Sequence, residues 1–453
     1  MKLWEKGYKL DQLVETFMTG DDPLLDHALI SYDCVGSIAH AKMLEKIGIL
    51  TFEESCQLAK ELIHIIQLAD EGKFIIKPED EDVHTAVENA LVVKLGDIGK
   101  KLHTARSRND QVLLDMRLYM KNQIRQITQE VLNACDILCK FAESNQEVPI
   151  PGRTHFQRAM PSSMGLWAGA FAESLLDNIH LLEHAYELID QCPLGSAASY
   201  GVSIPIDRQY CADLLGFKTV QNNVLYANNS RGKFEAAVLH VLVQIMNDLS
   251  KVATDIIIFS APEFGYLILP EKFCPGSSLM PQKRNPCPLE LIRAKSATLQ
   301  GLLFQTLEIV RALPSGYNRD FQETKRPIMH GLETTSLSLN VFSQIFSELQ
   351  VNKKTCIAAF TPELFATDQV LKLTSEGIPF RDAYKQVAKD PNSVTETDPV
   401  SNIMSKKHQG ATGNLGIPII HTKQNRYQKW LDVETKKWND VLATLLRIGI
   451  SVD

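Results

Sequence analysis

Apolar side chains recur in steps of three and four along five stretches between residues 110 and 350. The first runs Met120, Ile124, Ile127, Val131, Ala134, Leu138, Phe141. The second is looser, with Met164, Trp167, Phe171, Leu175, Leu182, Tyr186 and Ile189. The third runs Phe234, Val238, Val241, Ile245, Leu249, Val252, Ile256, Phe259; the fourth runs from Leu289 through Ile292, Leu299 and Leu303 to Val310 and Leu313; the fifth runs from Ile328 through Leu332, Leu339, Phe342 and Phe346 to Leu349. Alternating steps of three and four keep one stripe of an α-helix facing a partner. The spacing predicts an all-α protein with five long helices, each roughly 30–45 Å at 1.5 Å per residue. Side by side they form an elongated bundle. Leu113, Leu239, Leu242, Leu302 and Ile309 widen the stripes. Wider stripes imply further neighbours, and an obligate oligomer follows as a hypothesis.

Turn signals at Val148–Gly152, Pro193–Ser196, Gly276 and Leu313–Gly316 separate these helices. Shorter elements and more frequent breaks flank the bundle. We therefore expect three domains: residues 1–105, a central bundle at 106–355, and residues 356–453. The stretch from Asp390 through Pro391, Asn392 and Ser393 reads as an exposed loop. Neither a 20–50-residue repeat nor a glycine-rich nucleotide cradle is visible.

Composition narrows the picture. The chain has 453 residues and a net charge of −7, against the basic excess of general nucleic-acid binders. No apolar run approaches the ~18 residues of a membrane helix, and the segment Met1–Gly7 lacks a secretory apolar region. A cytoplasmic protein is expected. The nine cysteines read as reduced, buried thiols, and no metal is expected, since Cys135 and Cys139 lack further ligands at close spacing.

Four polar clusters sit at the breaks. His103–Gln111 carries Arg106, Ser107, Arg108, Asn109 and Asp110 ahead of the first long helix. One reading is a capped helix start, with Ser107 or Asn109 as N-cap. Arginines oppose the helix dipole there, so the other reading is a receptor for a carboxylate or phosphate. Arg153–Arg158 places Thr154 and His155 after a Pro-Gly turn, where structural and functional readings are equally open. The third cluster is Gly276–Pro286, with Ser277, Lys283 and Asn285, followed by Glu290 in the next helix. A poised base beside fixed positive donors is what proton removal from carbon requires. Tyr317–Arg326 on its own reads as a solvated linker. The acidic run Glu79–Asp82 reads as a helix start, although Asp82 and His84 lie within reach of a site.

Taken in order, these clusters resemble the fumarase/aspartase superfamily, and within it the argininosuccinate lyase family. Arg106–Gln111 is similar to that family's own signature and Gly276–Pro286 to the superfamily's; Pro193–Gly201, Tyr317–Lys325 and Ala366–Asp368 fit as well. The likeness runs from about residue 30 to residue 390. It implies a carbon–nitrogen lyase that splits argininosuccinate reversibly into arginine and fumarate, the last step of arginine biosynthesis, without a cofactor. It implies a homotetramer with a twenty-helix core and active sites shared between subunits. By resemblance, Ser277 is the base and His155 the other catalytic group, paired with Glu290. Lys283 and Asn285 hold the carboxylate. Ser107, Arg108, Asn109, Thr154, Tyr317, Gln322 and Lys325 contact substrate, and Asp82 faces the guanidino end.

Two departures stand out. Ala105 occupies a position where the family usually has glycine; if that position needs φ > 0, alanine costs on the order of 1 kcal/mol. Asp22 falls where many relatives carry a substrate-contacting serine, so no contact is assigned there. The rival readings are a lyase acting on adenylosuccinate or aspartate, and a non-catalytic crystallin of the same fold. The intact set Ser277, His155, Lys283 and Asn285 argues against the crystallin.

Overall fold

The computed structural model describes residues 10–390, 394 and 397–447. The expected loop at Pro391–Ser393 and the segment Met1–Gly7 lie outside them. All five periodic stretches are helices. They are α4 (Arg108–Ser144), α5 (Met164–Ile189), α6 (Lys233–Ser260), α7 (Cys287–Val310) and α8 (Lys325–Ser347). Ahead of them lie α1 (Ile30–Lys46), α2 (Phe52–Asp70) and α3 (Val83–Leu95), which share one apolar core with the bundle. The last helix, α9 (Ile417–Arg447), returns along the bundle, where Trp430 packs edge-on against Tyr186 and Glu434 accepts from the Tyr186 hydroxyl at 3.0 Å. A second, small core gathers Phe360, Leu364, Phe365, Val370, Ala383, Val387 and Val394. No helix among the described residues is long and apolar enough to cross a membrane. The nine cysteines are unpaired, and seven are buried.

The bundle helices alternate in direction, and their ends can be matched by contact. Arg108, Arg231 and Lys325, at or just before the starts of α4, α6 and α8, line one cavity. α7 finishes at this same end. Gly232, which caps α6 with φ +81°, lies so close to Val310 that an added Cβ would sit 2.3 Å from its Cγ1. A side chain at this position would push the two helix ends apart. At the opposite end, α5 starts beside the end of α4, through Gly165 N–H donating to the Asn145 carbonyl at 3.1 Å. The end of α8 meets the segment before α7 through Lys272 and Glu348 at 2.7 Å. With 28 residues, α6 puts about 40 Å between the two ends.

Most of the residues that widened the apolar stripes are covered by the chain's own helices: Leu113, Leu239 and Leu242 are buried. The less covered helix is α7, with five buried residues against fourteen in α6. Its Leu291, Phe304 and Leu307 remain exposed.

One segment read as a break between helices is a strand pair. Residues Pro149–Thr154 (β1) and Gln157–Ser163 (β2) form an antiparallel hairpin. His155 (φ 52°) and Phe156 (φ 61°) make its two-residue turn, both in the left-handed region. Tight hairpins need that conformation but usually fill it with Asn or Gly.

The Ala105 expectation is met: its φ is 62°. The turn is held from both sides, by the His40 ring nitrogen on the Thr104 carbonyl at 2.9 Å and by Arg106 donating to Ser37 at 2.8 Å. Ala105→Gly should therefore raise stability by about 1 kcal/mol in urea unfolding. An unchanged or lower midpoint would show that the turn is not strained.

Candidate active site

The cavity at the α4/α6/α8 end has a volume of about 310 Å³. Several predicted residues line it: Asp82, Ser107, Arg108, Asn109, Tyr317, Gln322 and Lys325. Ser107 fulfils the N-cap reading and also lines the cavity. Its hydroxyl caps α4, accepting from the Asn109 N–H at 3.3 Å, and Asp110 completes a capping box. The other Asp110 oxygen accepts from Gly195 and Ala197 N–H groups, both at 2.9 Å, pinning the 193–201 loop to the start of α4. Asp82 caps α3 by accepting from the Thr85 N–H at 2.9 Å.

Charges in the cavity come mostly in opposed pairs. Arg108 donates to Asp82. Burial alone would raise the Asp82 carboxyl, but the His84 and Arg108 charges outweigh it and hold the group below the usual range. Arg319 donates to Glu81 at 2.9 Å. Lys325 is buried and donates to Asp22 at 2.8 Å and to Asp26 at 2.6 Å. Burial opposes its charge, yet the two carboxylates raise its pKa. Gln322 donates to the Met18 and Thr19 carbonyls, which brings the N-terminal segment to the cavity wall. The Asn109 side-chain amide and the Tyr317 hydroxyl make no hydrogen bond among the described residues.

Sequence reasoning assigned no role to Asp22, Asp26, Arg231 or Arg319, all of which line this cavity. Arg231 carried a readable signal, a cation just before a helix start, the same one that marks Arg106 and Arg108. Asp22 and Asp26 carried none, because only the tertiary fold brings them to Lys325.

His84 also lines the cavity, backed by two buried acids. Its Nδ1 lies 2.6 Å from Asp33 and 3.6 Å from Asp115. Burial opposes protonation, but the Asp33 hydrogen bond and the charges of Asp33, Asp82 and Asp115 prevail, raising the pKa to about 9. Burial pushes Asp115 well above the usual carboxylate range. His103 behaves oppositely: burial and then Arg106 lower it to about 4, so it is neutral near pH 7.

The remaining predicted residues lie at the far end. His155, at the hairpin turn, is exposed, as is Thr154 just before it. Neighbouring Phe156 packs against Phe264, which packs against Phe259 in the last turn of α6. Ser277 sits in the exposed loop before α7. Its Oγ accepts from the N–H groups of Leu279 at 3.3 Å and Met280 at 3.1 Å. Asn285 closes the loop base, its N–H donating to the Pro275 carbonyl at 3.0 Å. Lys283 and Glu290 are exposed, and no ion pair joins Glu290 to His155 within the chain. One chain thus places seven of the predicted substrate contacts at one end and the acid–base candidates, with Thr154, Lys283 and Asn285, at the other, about 40 Å away.

Residues 8–301 match the model of a lyase family. The chain is 47% identical over 387 residues to the argininosuccinate lyase of Thermotoga neapolitana, covering 85% of this chain and 97% of that protein. It is 39% identical over 429 residues to the argininosuccinate lyase of Sorangium cellulosum, covering 95% and 100%. Among solved structures, an EDDS lyase in complex with formate superposes with a TM-score of 0.82 at 22% identity, covering 98% of this chain and 97% of that one. A class II fumarase from Schistosoma mansoni gives 0.71 at 15%, covering 90% and 97%. These structures share the fold.

The His84 arrangement predicts a pH dependence. Its pKa is about 9 in the folded protein and about 6.5 when unfolded. Protonation therefore favours folding. The contribution is complete below about pH 6.5 and is lost as pH rises through about 9. Between those values the thermal midpoint should fall more in the wild type than in His84→Gln. Parallel profiles would contradict a protonated His84.

Proposed function

The chain belongs to the argininosuccinate lyase family, and from that premise we propose how its residues carry out the elimination. Argininosuccinate is cleaved to arginine and fumarate. In our reading Ser277 removes the proton from the succinyl carbon next to a carboxylate. The C–H electron pair moves into that carboxylate as an aci-anion, which Lys283 and Asn285 hold. The pair then forms the C=C bond of fumarate, the C–N bond breaks, and the leaving nitrogen takes a proton.

The observation that best supports Ser277 as base is the pair of N–H groups from Leu279 and Met280 on its Oγ. A serine alkoxide is otherwise too costly, and fixed dipoles of this kind lower that cost. His155 and Glu290 remain a proposed pair, formed between subunits. The turn supports this: two non-glycine residues held at φ > 0 cost about 1–3 kcal/mol each, strain of a kind that clusters at functional sites. The groups at the cavity end bind the rest of the substrate, with Asp82 facing its guanidino group.

A single chain holds the two sets of groups far apart, so we propose a homotetramer in which several chains build each site. The sparsely covered α7 supports this reading. The three-part division at residues 105 and 355 belongs to the same proposal, with the separate small core supporting only its second boundary, as does a cytoplasmic setting, supported by the unpaired buried thiols.

Fumarate absorbance with argininosuccinate, adenylosuccinate and aspartate in separate reactions tests the assignment. Turnover of argininosuccinate is expected; turnover of another substrate alone would overturn it. Ser277→Ala should lower kcat by about 10²–10⁴ while substrate binding persists. Near-normal turnover would remove Ser277 as the base.

A further inference from the structure

Seven of the nine cysteines are buried. The two that are not, Cys274 and Cys287, stand on either side of the loop that carries Ser277, Lys283 and Asn285. Cys274 lies just before Pro275, and Cys287 is the first residue of α7.

The two arms of this loop run antiparallel at its base. Gly276 pairs with Arg284, and the Asn285 N–H donates to the Pro275 carbonyl at 3.0 Å. Continuing that register sets Cys274 opposite Pro286, with Cys287 as the next residue. Residues opposed in an antiparallel pair have Cα atoms about 4.5–5.5 Å apart, and a disulfide spans about 4.4–6.8 Å. Offset by one residue, the two thiols are a small backbone adjustment away from bonding. Their electrostatics agree: burial raises the Cys274 thiol, Arg284 draws it down, and the nearby Cys287 sulfur raises it again.

Both cysteines sit on fixed backbone. The Cys274 N–H donates to the Glu271 carbonyl at 2.9 Å, and Glu271 pairs with Arg284 across the loop base at 2.6 Å. On the other arm the Leu289 and Glu290 N–H groups hold the Pro286 carbonyl at 3.0 and 3.2 Å. Ser277 lies on the arm that follows Cys274, and Lys283 and Asn285 lie on the arm that leads to Cys287. The Asn285 side chain reaches across to the Gly276 carbonyl at 3.5 Å. The separation between the base and the carboxylate-holding pair is therefore set at this point. Closing the one-residue offset to make a disulfide changes that separation.

We propose that Cys274 and Cys287 form a reversible disulfide that switches the Ser277 loop between a working and an idle state, with a small-molecule disulfide as oxidant. One cysteine thiolate attacks a sulfur of the oxidant, forming a mixed disulfide and releasing one small thiolate. The second cysteine thiolate attacks the protein sulfur of that mixed disulfide and expels the other small thiolate. Two protein S–H bonds become one S–S bond. The oxidant's S–S bond takes up the two electrons, and the two protons leave on the small thiols. The loss of activity rests on the reading of Ser277, Lys283 and Asn285 as catalytic groups; the disulfide itself does not.

The test uses the full-length enzyme. It is incubated with glutathione disulfide, its remaining thiols are alkylated, and its tryptic peptides are weighed. The expected product joins the peptide Phe273–Lys283 to Asn285–Arg293, lighter by two hydrogens than the separate pair. The kcat of this form on argininosuccinate should fall about 10²-fold, the scale on which small displacements of reacting groups act, and dithiothreitol should restore it. Cys274→Ser and Cys287→Ser should each keep full turnover before and after treatment, with Cys274→Ala and Cys287→Ala standing in where serine disturbs folding. Glutathione left on either cysteine, thiols that stay free, or unchanged turnover in the cross-linked enzyme would each overturn the switch. Failure of the untreated enzyme to cleave argininosuccinate would instead overturn the function, and the peptide masses distinguish the two failures.

Discussion

An α-helix cannot shorten. The bundle helices of this chain are about 40 Å long, and the groups suited to one reaction are attached at both ends of them. Arg108, Arg231 and Lys325 stand at the starts of α4, α6 and α8, while the Ser277 loop precedes α7 at the other end. No local loop movement spans that distance. In the proposed assembly the groups at the two ends meet where a second chain runs past the first with its ends reversed. On that proposal assembly completes the active site, whose His155 is exposed and Ser277 half-buried in the single chain.

The two ends solve different electrostatic problems. The cavity end buries charge and pairs it. Lys325 is stabilised by two carboxylates and His84 by two acids, at the expense of desolvating every partner. Such pairs are poor sources of stability, but they fix donors and acceptors in place before a ligand arrives. The other end keeps its groups in water and holds them by backbone geometry. Two N–H groups aim at Ser277, and a hairpin turn carries His155 in the left-handed region. Packing against another subunit would exclude water there and strengthen those dipoles.

Much of this was legible along the chain. The three/four spacing gave the five bundle helices because their buried stripes repeat over many turns. Ala105 was legible as a residue in a conformation that favours glycine. Asp82, Ser107 to Asn109, and Tyr317 to Lys325 were legible as one group through their resemblance to a family signature. The hairpin was not: strands this short, with prolines and a His-Phe turn, lack the Asn-Gly signal that marks tight hairpins. Asp22 was legible as a departure but not as a partner of Lys325, because the two are 303 residues apart in sequence.

The shared site can be tested by mixing chains. Ser277→Ala removes a group at one end, and Asn109→Leu removes a side-chain amide at the other that makes no hydrogen bond among the described residues. Each variant should be inactive alone on argininosuccinate. Unfolded together and reassembled, the two should regain fumarate production, because some sites in the mixed oligomers draw both intact groups from different chains. A mixture as inactive as its parents, at the same oligomer size, would contradict a site built between chains.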